Sequence, residues 1–194
     1  MKAKQELPAG FKEHFKLDLK SNKQMLIVNG ISIGIVLIMI FVMNFFVPIN
    51  TILGDGENLG DLAEKLIILA GLMFVYVILH EAVHGITMKI FGAKRLKFGF
   101  KSMYAYAGSD EYFGKIEYIV IALAPVIVWG IVFAVINAVV PASYFWFVYV
   151  LQIINVSGAA GDIYVSIRFA GLDRAVLIQD TGTSMIVYAK EKEL

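Results

Sequence analysis

Residues 62–91 read LAEKLIILAGLMFVYVILHEAVHGITMKIF, and the fold turns on how that stretch is taken. Glu64 and Lys65 stand near its start, and from Leu66 to Leu79 there is no charge at all. Taken as a helix rising ~1.5 Å per residue, the stretch is long enough to cross a hydrocarbon core of roughly 30 Å. Its far half then carries His80, Glu81 and His84. Ionisable side chains inside a span cost about 2.5–3.5 kcal/mol each on insertion scales, so they are retained for a function or for a specific partner.

His80-Glu81-Ala82-Val83-His84 has the spacing H-E-x-x-H. On a helix, residues four apart lie on one face, one above the other. Both imidazoles can therefore reach one metal ion at about 2.0–2.1 Å. Glu81 is offset by one residue, beside the metal, where it can take a proton from a metal-bound water and pass it to a leaving amine. The bland alternative is two core histidines bonded between helices, with Glu81 paired to a lysine.

The rest of the chain supports lipid as the solvent. Hydrophobic residues make up 59% and charged residues 17% of the 194, with a mean hydropathy of +0.74. A soluble domain of this length has too much surface to cover with so few charges. Met25 to Val47 runs without a charge and ends at Pro48. It is too long for a signal peptide's apolar region and no small-x-small site closes it, so it reads as a retained span. A third span covers about Ile116 to Val140, with Pro125 expected to kink it. A fourth runs from Tyr144 to about Ile163. The expected architecture is an all-α membrane protein of four transmembrane helices. Its units are a basic N-terminal segment (1–24), a membrane unit (25–163, with spans at about 25–47, 62–91, 116–140 and 144–163) and a tail (164–194).

Between the spans, Ile49 to Asp61 is a loop rich in Gly54, Asp55, Gly56, Glu57 and Gly60. Residues 96–107 alternate with a strand's period, Leu96, Phe98, Phe100, Tyr104 and Tyr106 against Lys97, Gly99, Lys101, Met103, Ala105 and Ala107, broken only at Ser102. This is a small hairpin-like insertion, closed by the turn at Gly108-Ser109-Asp110-Glu111. Its edge suits an extended substrate backbone; equally, its tyrosines suit the aromatic belt of a membrane interface. Val176–Ile178 and Met185–Tyr188, separated by Asp180-Thr181-Gly182-Thr183, predict a short β-like tail.

Lys and Arg set the orientation. They crowd the N-terminal segment, residues 89–101, and the tail with Arg168 and Arg174, while 48–61 and 141–143 have none. Four spans put all three basic segments on one side, so the hairpin and both termini are expected in the cytoplasm, with the chain multi-pass in a prokaryotic plasma membrane. Lipid and a peptide or membrane-protein substrate are the expected partners, and nucleic acid is not.

Without cysteine there is no disulfide and no thiolate ligand, so a metal must be held by His, Asp or Glu. A catalytic zinc site needs a third protein ligand and an open fourth position. The candidates are Asp110, Glu111, Glu117, Asp162 and Asp173. His80 and His84 precede Lys89, and Asp162 precedes Arg168, in spans that run in the same direction, so their depths match. Asp162 is the choice. Gly158 and Gly161 are expected to let the fourth span approach the second closely. Asn155, two turns before Asp162, either orients a ligand or substrate or makes a polar contact between helices.

The H-E-x-x-H in a span, the β-like segment after it, Ala124-Pro125 in the next span and Asn155-x-x-Gly158-x-x-Gly161-Asp162 in the last resemble the small prokaryotic membrane family described as zincin peptidases of otherwise unknown function. In layout they are also similar to the site-2 protease group of intramembrane metalloproteases, although Gly158 stands where that group has proline and Gly161 precedes Asp162 instead of following it. The resemblance covers roughly Leu62 to Arg174. It implies Zn2+ held by His80, His84 and Asp162, with Glu81 as the base of a metalloendopeptidase. Two readings from other classes remain. One is an inactive membrane scaffold retaining a structural metal. The other is a metal transporter, which the apolar residues 33–43 and 126–136 disfavour.

Overall fold

The computed structural model describes residues 2–19, 21–52, 58–101, 104–182 and 184–190. Gly54 to Glu57 of the predicted loop, Ser102 and Met103 of the predicted hairpin, and Thr183 of the predicted turn lie outside them. Among the described residues five α-helices form: α1 (Asn22–Asn44), α2 (Leu59–Ile90), α3 (Lys115–Val139), α4 (Phe145–Gly158) and α5 (Ala160–Ala170). Among the described residues, four helical segments are long and apolar enough to cross a membrane: α1, α2, α3 and the run Ala142–Ala170 that contains α4 and α5. None of the residues of α1 is buried, and Leu37, Phe41, Phe74 and Ile131 lie open on helix surfaces.

The second helix starts earlier than the loop-like composition implies. Asn58 accepts from the amides of Gly60 and Asp61, and Asp61 reaches back to the Asn58 amide at 2.9 Å. This reciprocal cap satisfies amides that a helix start otherwise leaves unpaired. The third helix runs unbroken through Pro125. The fourth span, expected to end near Ile163, is two helices meeting at the fully buried Ala159 and continuing to Ala170.

Six strands among the described residues stand beside the helices: β1 (Phe11–Leu17), β2 (Leu96–Lys101), β3 (Tyr104–Ser109), β4 (Tyr112–Gly114), β5 (Leu177–Asp180) and β6 (Met185–Lys190). β2 and β3 form the hairpin predicted after α2, in the register Leu96↔Ser109 to Lys101↔Tyr104. β5 and β6 are the predicted C-terminal pair. They belong to a four-stranded antiparallel sheet in the order β1-β6-β5-β4. The sequence reading assigned no element to β1 or β4. In β1 the alternation of Phe11, Phe15 and Leu17 is interrupted where the register with β6 shifts between Glu13 and Phe15, a bulge.

The sheet packs on one end of the helix group. Phe113, Ile178 and Val187 from its strands meet Met88 of α2, Tyr118 and Ile121 of α3, and Val165 and Phe169 of α5. Several of these are wholly buried, and each large apolar side chain so placed contributes about 1.5–3 kcal/mol. The ammonium of Lys115 donates to the carbonyls of Ala170 and Leu172, a cation at the C-terminus of α5. Ala3 bonds Phe91 O at 2.6 Å, and Lys4 pairs with Tyr112. The basic segments of the chain thus gather at the sheet end.

Candidate metal centre

His80 and His84 project from α2 into a cavity of about 380 Å³. Facing them is Asp162, in the first turn of α5, a position where the partial positive charge of a helix start favours a carboxylate. His80 Nε2 lies 3.5 Å from Asp162 Oδ2, and His84 Nε2 lies 3.7 Å from Asp162 Oδ1. Ligands of a tetrahedral ion with bonds of about 2.0–2.1 Å stand roughly 3.3 Å apart, so these three fit a zinc ion. They are also the one group of three such side chains, among the described residues, whose ligating atoms all lie within 4.8 Å of one another.

Each imidazole is held by its other nitrogen. His84 Nδ1 donates to the carbonyl of Ile121, 2.9 Å away. That carbonyl is available because the residue four positions on is Pro125, which has no N–H to close the helical bond. His80 Nδ1 is 2.9 Å from the hydroxyl of Tyr76, which itself donates to Asn155 Oδ1 at 2.9 Å. The tyrosine proton is committed to Asn155, so His80 Nδ1 is the donor to Tyr76. Asn155 Nδ2 completes the relay on the carbonyl of Val126. Both rings are thereby fixed as Nδ1–H tautomers, which leaves both Nε2 lone pairs directed at the metal position.

Glu81 borders the same cavity, and the backbone amide of Ala107 in β3 faces its carboxylate. Ala105, Tyr106 and Ala107 of β3 form one wall. Beneath lies a second pair: Tyr118 of α3 donates to Asp180 Oδ2 at 2.6 Å, and Asp180 Oδ1 accepts from the Gly182 amide at 2.8 Å. Burial raises the Asp180 carboxyl above the ordinary carboxylate range, against the lowering effect of those two donors.

The other candidate acids are engaged elsewhere. Asp110 pairs with Lys97 at 2.6 Å on the surface. Glu111 is buried and accepts from Ser109 Oγ and from the amides of Lys94 and Arg95. Asp173 caps the Ala175 amide, and Glu117 sits in the first turn of α3. Asn155 is fully buried and works through Tyr76. The two glycines act differently from the expectation. α4 packs on α1 and α3 more than on α2, and Gly158 and Gly161 line the cavity instead of a tight helix contact. Tyr76 escaped the sequence reading, although it lies one turn before His80 on the same helix face. So did the link from Pro125 to His84, and Leu19, which reaches the cavity from the N-terminal segment.

Residues 73–171 match the model of a family described as "Putative zincin peptidase". No curated protein and no solved structure matches the chain.

Proposed function

The chain belongs to this zincin peptidase family, and from that premise we propose that it is a membrane-embedded zinc metallopeptidase with His80, His84 and Asp162 as ligands and Glu81 as catalytic base. The observation that carries the reading is the convergence of two tautomer-fixed Nε2 atoms and one carboxylate on a single point of an open cavity. A zinc ion held by these three side chains would supply Lewis-acid polarisation of a carbonyl and a water. Glu81, bordering the same cavity, would accept a proton from the attacking water and deliver it to the leaving amine. Among the described residues β2 is the one strand paired with β3, and the cavity-lining residues 105–107 offer an edge along which an extended peptide can add as a strand.

In this reading the four apolar segments cross the bilayer, and the sheet end, where the basic segments gather, faces the cytoplasm of a prokaryote. The substrate is a peptide or a membrane protein whose chain is extended at the inner interface.

The test is elemental analysis of detergent-purified protein combined with cleavage of a peptide library. About one zinc per chain is expected in the wild type and in Glu81→Gln, with loss in His80→Ala and weakened retention in Asp162→Ala. Cleavage by Glu81→Gln should fall by about 10²–10⁴-fold. Undiminished cleavage by that variant removes Glu81 as the base. Full zinc in Asp162→Ala gives the third position to another acid. Zinc without any cleavage turns the site into a structural clamp on a scaffold.

A further inference from the structure

The cavity extends past the three metal-ligating side chains, and that extension has its own composition. Beside Asp162 lies Gly158, the last residue of α4, where a Cβ would meet nothing within 4 Å. A Cβ at Gly161 would stand 3.6 Å from Leu19 Cδ1. Leu19 follows β1, and β1 is held on β6 through the pair Leu17↔Met185. Met185 lines the cavity as well. Leu19 and Met185 both fall outside the residues, 73–171, that match the family.

Charge decides what this extension can take. Glu81, Asp162 and Asp180 border the cavity, and among the described residues no lysine or arginine does. A carboxylate side chain would therefore lose its hydration with no lysine or arginine of the described residues to pair with it. Asp162 is committed, with the two histidines, to the metal position, and Asp180 to Tyr118 and Gly182. A basic side chain would thus lose its hydration without a carboxylate at this end left to pair with it. An aliphatic side chain loses nothing polar and buries apolar surface against Leu19 and Met185.

We propose that Leu19, Met185 and the open face at Gly158 form a subsite for an uncharged aliphatic side chain of an extended peptide, beside the bond to be cut. The proposal rests on the peptidase reading above and names its substrate class.

The experiment measures binding of dipeptide hydroxamates, which ligate zinc through the hydroxamate, to the zinc-loaded full chain in detergent. One side chain is varied among Gly, Leu, Phe, Asp and Lys. Leu is expected to bind at least about tenfold more tightly than Asp or Lys. Gly158→Val projects into empty space. It should weaken the Leu compound about tenfold while zinc content and binding of the Gly compound stay unchanged. Leu19→Ala should enlarge the subsite and favour Phe over Leu, which carries the test if Gly158→Val fails to fold. Equal affinity for every side chain, or variants that leave the order unchanged, overturns the subsite. Selective binding without turnover keeps the subsite and removes the peptidase reading; turnover with unselective binding does the reverse. No hydroxamate bound at all overturns both.

Discussion

Pro125 lacks an amide hydrogen, so the Ile121 carbonyl one turn earlier is left to His84. In Pro125→Ala the restored amide competes for that carbonyl, and His84 loses the acceptor that fixes its tautomer. Zinc affinity, measured by competition with a chelator, should fall by about 10–100-fold, the usual cost of losing an outer-shell partner. An affinity equal to that of the wild type would show that the carbonyl serves both donors. Tyr76 plays the matching part for His80. Tyr76→Phe leaves both His80 Nδ1 and Asn155 Oδ1 without their shared hydroxyl and should weaken zinc by a similar about 10–100-fold. Because Asn155 acts through Tyr76, the double variant with Asn155→Ala should cost less than the sum of the two single losses. Strict additivity would separate them.

At the scale of elements, the break at Ala159 gives Asp162 its position. A continuous helix would place Asp162 mid-span, whereas the junction puts it in the first turn of α5. The β5–β6 turn is tied beneath the site by Asp180, whose carboxyl is raised by burial. An unfolded chain gives up this proton near the ordinary value of about 3.9, before the folded protein does. Between that value and the raised one the folded state holds more protons, so Asp180 makes stability fall as pH rises. Thermal unfolding across this window should show a steeper decline in the wild type than in Asp180→Asn, and parallel declines would exclude Asp180 as the source. The elements also differ in how far the sequence discloses them. Long apolar runs disclose α1, α2 and α3, and alternation broken only at Ser102 discloses the β2–β3 hairpin, although Gly108 and Ser109, expected in a turn, pair with Lys97 and Leu96 as the end of β3. β4 is three residues long, Tyr112–Gly114, and exists only because β5 is there to pair with it; such strands carry no local signal of their own. The bulge hides β1 in the same way.

At the scale of the whole molecule, a metal ion would join α2 to α5, two elements remote in sequence. Zinc binding should therefore raise the unfolding temperature, by an amount that corresponds to about 2.7 kcal/mol when free zinc is a hundredfold above its dissociation constant. Stripping the ion with a chelator should reverse the shift, and His80→Ala should show none. A shift that persists in His80→Ala would locate the bound ion elsewhere. The convergence of His80, His84 and Asp162 was legible because it obeys local and depth rules: two histidines four apart, and an acid at a matching position in a helix that runs the same way. Tyr76, Leu19 and the role of Pro125 depend on what faces them across the fold, which one-dimensional spacing does not carry. The pairing of β1 with β6 has a temporal consequence. β1 precedes all five described helices in the chain, and its partner β6 follows them. β1 must therefore wait through the synthesis of all four apolar segments for its neighbour. Leu19, two residues past that late pairing, takes its place at the cavity only then, so a half-made chain can carry His80, Glu81 and His84 without yet having a finished cavity wall.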